Sequence, residues 1–124
     1  MTIKGFPVGQ EMEVSYPPFK VYLRIQSATE LTFAIREGRF ARTETVEIQV
    51  APIGDSLFAV SWKESNGATV VNVQDYDRAV FQSFVTLTSG EFWRMTGSMV
   101  VTRSANKVSN DRKRSMNDTL PSRG

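Results

Sequence analysis

LFAVSWKESNGATVVNVQDY, from Leu57 to Tyr76, holds two alternating runs on either side of Asn66-Gly67. Successive residues of a strand point to opposite faces, so Phe58, Val60 and Trp62 share one side. Glu64 takes the next place on that side. Asn66-Gly67 is a strong hairpin signal, because both residue types tolerate positive φ. The stretch therefore reads as two antiparallel strands, with a carboxylate following a tryptophan on the apolar face. A buried carboxylate is costly unless it is paired or neutralised. Glu64 either leaves the sheet for solvent or finds a partner.

The same alternation runs outward in both directions. MEVSY (12–16), FKVYLRIQ (19–26), ELTFAIRE (30–37) and RTETVEIQV (42–50) precede the hairpin, and AVFQSFVTL (79–87) and FWRMTGSMVVTR (92–103) follow it. Val21, Leu23 and Ile25 form one side of the second run. Leu31, Phe33 and Ile35 do so in the third, and Glu44, Val46, Ile48 and Val50 in the fourth. Period-two patterns of this length are the mark of half-buried strands. Glu37-Gly38-Arg39, Pro52-Ile53-Gly54-Asp55, Tyr76-Asp77-Arg78 and Ser89-Gly90-Glu91 punctuate them. The expected fold is all-β: an eight-stranded antiparallel meander closing into a barrel, with a two-sheet sandwich as the alternative. Residues 1–103 form the barrel domain, and 104–124 read as a disordered, basic tail. Gly97, inside the last strand, is expected at a bulge or sharp bend. The late strands are apolar on both sides, so their outer face packs on another chain or lies under a terminal segment, and a homodimer through them is the expectation.

Composition excludes several chemistries. The chain has 124 residues, no cysteine and no histidine, so disulfides, thiolate nucleophiles, Ser-His-Asp triads and histidine-ligated zinc are out of reach. No metal or cofactor is expected. Residues 1–103 carry 10 Lys/Arg against 11 Asp/Glu, a net of −1, and residues 104–124 carry 5 against 2, a net of +3. The basic charge thus belongs to the tail. Arg112-Lys113-Arg114 reads as part of a solubilising extension, and no nucleic-acid partner is expected. No apolar run is long enough for a membrane span, and the start lacks a signal-peptide pattern, so a cytoplasmic location is the expectation.

An eight-stranded barrel has room for its own side chains or for one small ligand. Arginine is the natural partner for Glu64, and Arg39 and Arg42 are the candidates, with Glu44 just beyond. Tyr16 brings a phenol to the same end. Asp75 shares a side with Val71 and Val73, which makes it either a second inward carboxylate or the cap of the turn that follows.

Val60-Ser61-Trp62-Lys63-Glu64, then Gly67, then an alternating strand ending near Asp75, resemble the small lipocalin-like (calycin) barrels related to molybdenum-cofactor biosynthesis protein F. Gly38-Arg39-Phe40 looks like the Gly-Arg-aromatic element that precedes that motif. The likeness covers roughly residues 10–102. A more distant likeness is to phenolic acid decarboxylases. There, by resemblance, Glu64 is the proton donor or acceptor, and Arg39 and Tyr16 hold the substrate. This chain departs from that pattern: the second tyrosine falls at Val14, and Glu64 is followed by Ser65-Asn66 rather than Pro-Thr.

Three functions follow as expectations. The first is a binder of a small aromatic or anionic molecule, with Phe58, Val60 and Trp62 as an apolar wall and Tyr16, Arg39, Glu64 and Asp75 as polar contacts. The second is a lyase or isomerase using Glu64 as acid/base. The third is an oligomerisation module with a filled barrel. A void of ~300 Å3 or more suits a ligand, and a solid interior suits the module.

Overall fold

The computed structural model describes residues 3–104, so the tail expected beyond Ser104 lies outside the described residues. Nine strands form one antiparallel sheet: β1 (Glu11–Ser15), β2 (Lys20–Ile25), β3 (Glu30–Ile35), β4 (Arg42–Glu47), β5 (Gln49–Gly54), β6 (Leu57–Lys63), β7 (Thr69–Asp75), β8 (Val80–Thr86) and β9 (Phe92–Arg103). Their order across the sheet is β4-β3-β2-β1-β9-β8-β7-β6-β5. The sheet curls into a half-barrel, and its two edge strands are consecutive in the chain.

The count of nine corrects the eight expected. The run 42–50 breaks at Ile48, where one strand changes partner. Glu47 still pairs with Glu30 of β3, and Gln49 already pairs with Ser61 of β6. Ile48 itself donates its N–H to the Thr29 carbonyl at 2.9 Å and buries its side chain. Side-chain alternation runs through the break undisturbed, which is why the sequence reads as one strand. β5 then continues through Pro52, expected to be a link. Pro52 is tolerated because β5 is an edge strand, where a missing N–H breaks no ladder. No ladder joins β4 to β6 among the described residues, so a seam runs between them from Ile48 outward.

The hairpin forms where the sequence suggests, but its loop has three residues, Ser65-Asn66-Gly67, closed by Glu64 and Ala68. Only Gly67 takes positive φ, at +92°, and Asn66 instead accepts a hydrogen bond from Ala68 N–H through its side chain at 2.9 Å. Glu64 O accepts from Gly67 N–H at 2.9 Å, and Glu64 N–H donates to Ala68 O at 2.8 Å. This closes the β6–β7 register as Trp62↔Val70, Val60↔Asn72 and Phe58↔Gln74. Residues opposite one another share a face, so Asn72 and Gln74 point inward with Val60 and Phe58.

One end of the interior is solid. Phe58 meets Phe6 edge-on at 5.2 Å and Tyr76 at 6.0 Å, and Tyr76 meets Phe81 at 5.5 Å. Such pairs add roughly 0.5–1.5 kcal/mol each beyond their buried area. Phe6 comes from the segment before β1, which packs into that end of the core. Gly97 is not a bulge: it pairs regularly with Phe81, and the register shift between β1 and β9 lies at Glu11/Met12. Its role is close approach, since a Cβ there would meet Val14 and the Tyr16 ring at under 3 Å. On the outer face of the late strands Val71, Phe92 and Val100 stay exposed, while Val70 and Phe81 face the core.

Candidate functional site

The other end of the half-barrel holds a cavity of about 130 Å3. Its wall is aromatic and aliphatic: Phe33, Trp62, Phe40 and Trp93 face it along with Val21, Leu23 and Met95. Phe33 and Trp62 stack with centroids 6.3 Å apart. Tyr16, Phe19, Phe40 and Trp93 form a chain of edge-to-face contacts at 6.3, 5.7 and 5.2 Å. Phe40 sits in the β3–β4 loop, where Gly38 takes φ +86° and its carbonyl accepts from Ala41 N–H at 3.1 Å. That turn folds Phe40 over the cavity, between Phe19 and Trp93.

Glu64 lies at the mouth, and it has partners. Its Oε1 accepts from Arg42 Nη1 at 3.0 Å, and its Oε2 accepts from Trp62 Nε1 at 3.1 Å. Arg42 also pairs with Glu44, whose other oxygen accepts from Ser65 N–H at 2.7 Å. The guanidinium lies 5.3 Å from the centre of the Phe33 ring. This network spans the seam: Arg42 and Glu44 belong to β4, and Glu64 and Ser65 follow β6. Side chains there hold together what no backbone ladder joins. Outside the seam runs an open groove of about 620 Å3 lined by Ile48, Lys63 and Thr69, and Trp62 borders both groove and cavity.

At its inner end the cavity meets Tyr16, Asn72 and Ser83. Asn72 Nδ2 donates to the Tyr16 hydroxyl at 3.2 Å, Gln74 Nε2 donates to Asn72 Oδ1 at 2.8 Å, and the Tyr76 hydroxyl donates to Gln74 Oε1 at 2.6 Å. Burial pushes both phenols up, Tyr16 against a partial offset from its Asn72 and Ser83 hydrogen bonds. Gln74 is 0% exposed and Asn72 2%, so this is a sealed polar chain running from the cavity into the solid end.

Of the residues expected at the site, the structure brings Tyr16, Trp62 and Glu64 to the cavity and leaves four out. Phe58 and Val60 are buried in the solid end rather than lining the void. Arg39 is exposed, stacked 4.8 Å over Phe40 on the outside, so of Gly38-Arg39-Phe40 it is the aromatic that enters the site. Arg42 takes the place beside Glu64. Asp75 faces outward and caps its turn, accepting from Arg78 N–H at 3.0 Å and from its guanidinium at 2.9 Å. The Arg78 backbone first, then its side chain, hold the Asp75 carboxyl below the usual range. Asn72, Gln74, Ser83 and Phe40 were not anticipated.

A family model described as MoaF-like matches residues 8–100. The chain belongs to the MoaF-like family. The match begins just before β1 and ends within β9, so it takes in both the cavity and the seam of this MoaF-like chain. A crystal structure from Burkholderia vietnamiensis, of a protein provisionally named a beta-lactamase, is similar at 27% identity and a TM-score of 0.73. It covers 77% of this chain and 94% of that one. No curated protein matches. No described helix is long and apolar enough to cross a membrane.

Proposed function

We propose that this MoaF-like half-barrel binds a small, uncharged, single-ring aromatic molecule in the cavity beneath Phe40. The observation that carries the reading is the void itself: about 130 Å3, walled by aromatic side chains, with few polar groups. An engineered apolar cavity of roughly 150 Å3 takes up benzene. The space is well below the ~300 Å3 of ordinary ligand pockets, which limits the guest to one ring. Of the aromatic or anionic characters expected, the mouth favours the uncharged one. Its single guanidinium, Arg42, is already shared by two carboxylates, Glu44 and Glu64.

The binding role is favoured over acid/base catalysis because each Glu64 oxygen already accepts a hydrogen bond, and because Arg39, the expected clamp, lies outside the cavity. The lactamase designation of the similar structure is not adopted. Among the described residues no three His, Cys, Asp or Glu side chains group to hold a metal, and the one serine facing the cavity, Ser83, has no lysine beside it in the lining. The reading takes no cofactor, places the protein in the cytoplasm, and seats a second copy on the outer face of β7–β9. The test is titration with toluene and with benzoate, followed by the fluorescence of Trp62 and Trp93. Saturable binding of toluene with none of benzoate is expected. Absence of saturable toluene binding, or turnover of an aromatic acid that Glu64→Gln abolishes, refutes the reading.

A further inference from the structure

We infer that the Tyr16–Ser83 hydroxyl pair is a fixed hydrogen-bond donor at the inner end of the cavity, oriented by Asn72, Gln74 and Tyr76, and that the ligand carries an uncharged acceptor oxygen on its ring, as an aryl ketone does. The inference rests on the binding role proposed above and deepens it.

The direction of the buried chain follows from its closed end. Tyr76 sits among Phe58 and Phe81, and its hydroxyl meets no partner but Gln74 among the described residues. A phenol proton left there without an acceptor costs more than one ordinary hydrogen bond returns. Tyr76 therefore donates, and Gln74 turns its carbonyl oxygen to it. The amide nitrogen of Gln74 then faces Asn72, which must present its own oxygen. The Asn72 nitrogen in turn faces Tyr16. Each step fixes the next, because an amide has one accepting and one donating end.

At the end of the chain Tyr16 accepts, so its own proton is free to be given. Ser83 is its neighbour, and both line the cavity. If Tyr16 donates to Ser83, the serine proton is left to be given; if not, the tyrosine proton is. Either way the inner wall offers a donor. Burial raises the Tyr16 phenol, so it keeps that proton at neutral pH. Three neighbouring inward positions of the sheet are polar and almost fully sealed: Asn72, Gln74 and Ser83. Apolar side chains would fill them at lower cost. The donor gives that arrangement a use.

The test compares acetophenone with α-methylstyrene, which replaces the carbonyl oxygen by a methylene of similar shape. Affinities are measured by calorimetry, and the carbonyl stretch of bound 13C-acetophenone by infrared difference spectroscopy. In the wild-type protein the carbonyl band shifts down relative to the ketone in hexane. The Tyr16→Phe/Ser83→Ala double variant loses that shift and lowers the ketone-to-alkene affinity ratio about 3- to 10-fold. Gln74→Met, which touches no ligand, lowers the ratio in the same direction because it frees the Asn72 amide to turn. If both probes bind but the wild-type band is unshifted, the donor is refuted while the binding role stands. If neither binds, the donor inference fails, and the toluene titration decides the binding role by itself. The wild-type band alone decides the matter should a variant not fold.

Discussion

Replacing Gly97 by alanine is expected to weaken the fold and loosen the cavity wall together. An ideal Cβ at Gly97 lies 2.7 Å from Val14 Cγ1 and 2.8 Å from both Cδ1 and Cε1 of Tyr16. Neither neighbour yields easily. Val14 is 0% exposed, and Tyr16 is 9% exposed and tied to Asn72 through its hydroxyl. Overpacking of this kind costs roughly 1–3 kcal/mol. Alanine recovers roughly 0.5–1 kcal/mol, since it loses less backbone freedom on folding than glycine. With three atoms under 3 Å the overpacking cost lies in the upper half of its range, so the net loss is about 1–2.5 kcal/mol, at a fall in Tm of roughly 4–8 °C per kcal/mol for a domain near this size. Urea denaturation with an unchanged slope reads the loss directly. Adding Val14→Ala removes the nearest atom, so the double variant should lose less than the sum of the two singles. A Gly97→Ala protein as stable as the wild type, with acetophenone binding intact, refutes the close-approach argument.

Three further outcomes follow from the geometry. Arg42→Met leaves Glu44 and Glu64 facing each other across the seam. Removing one member of a buried pair costs about 3–5 kcal/mol, and the partial exposure here reduces that to about 2 kcal/mol; hydrogen exchange of the Thr43–Val46 amides should accelerate, and unchanged protection there would mean that the seam is held otherwise. Alkaline pH should destabilise the protein. Burial raises the folded-state pKa of Tyr16 and Tyr76, so the folded form holds their protons more tightly, and the stability they contribute below pH ~10 is lost as pH rises above it; Tyr76→Phe should flatten that limb of a Tm-against-pH curve, and an identical limb would rule Tyr76 out as its source. Sedimentation at micromolar concentration should show a dimer that Val71→Lys with Phe92→Glu converts to monomer, and a monomeric wild type would remove the second copy from the proposal.

Much of the fold could be read from alternation, and the errors have specific causes. The inward faces of β2 and β3 follow their apolar residues, because one face of each meets water and the other the core. β7 misleads by the same rule. Val71 and Val73 look like its core face, yet they point outward while Asn72 and Gln74 point in. The apolar pattern is outvoted by register: the turn pairs Trp62 with Val70, so Phe58 must face Gln74. A two-residue Asn66-Gly67 turn would pair Ser65 with Ala68 and set Asp75 opposite Phe58; the loop instead takes in Ser65 and closes on Glu64 and Ala68, and that shift of one residue turns Asn72 and Gln74 inward and Asp75 outward. The preference of Glu64 for Arg42 over Arg39 was legible in part: Arg42 shares the side of Glu44, Val46 and Ile48, whereas Arg39 lies in the loop before β4, where alternation fixes no direction. The break at Ile48 was hidden, since changing partners leaves the side-chain rhythm unaltered.

Because β4 and β5 are one run of chain on either side of Ile48, the gap between β4 and β6 is anchored at one end. It can widen only toward Phe40, over the six residues of β4, a length of roughly 20 Å at the usual rise per residue. Any molecule leaving sideways must therefore pass Trp62 and the Arg42 crossing, while the packed base around Phe6 and Phe58 stays shut. For the proposed guest, the route out would be set by covalent continuity, before any side chain has a say.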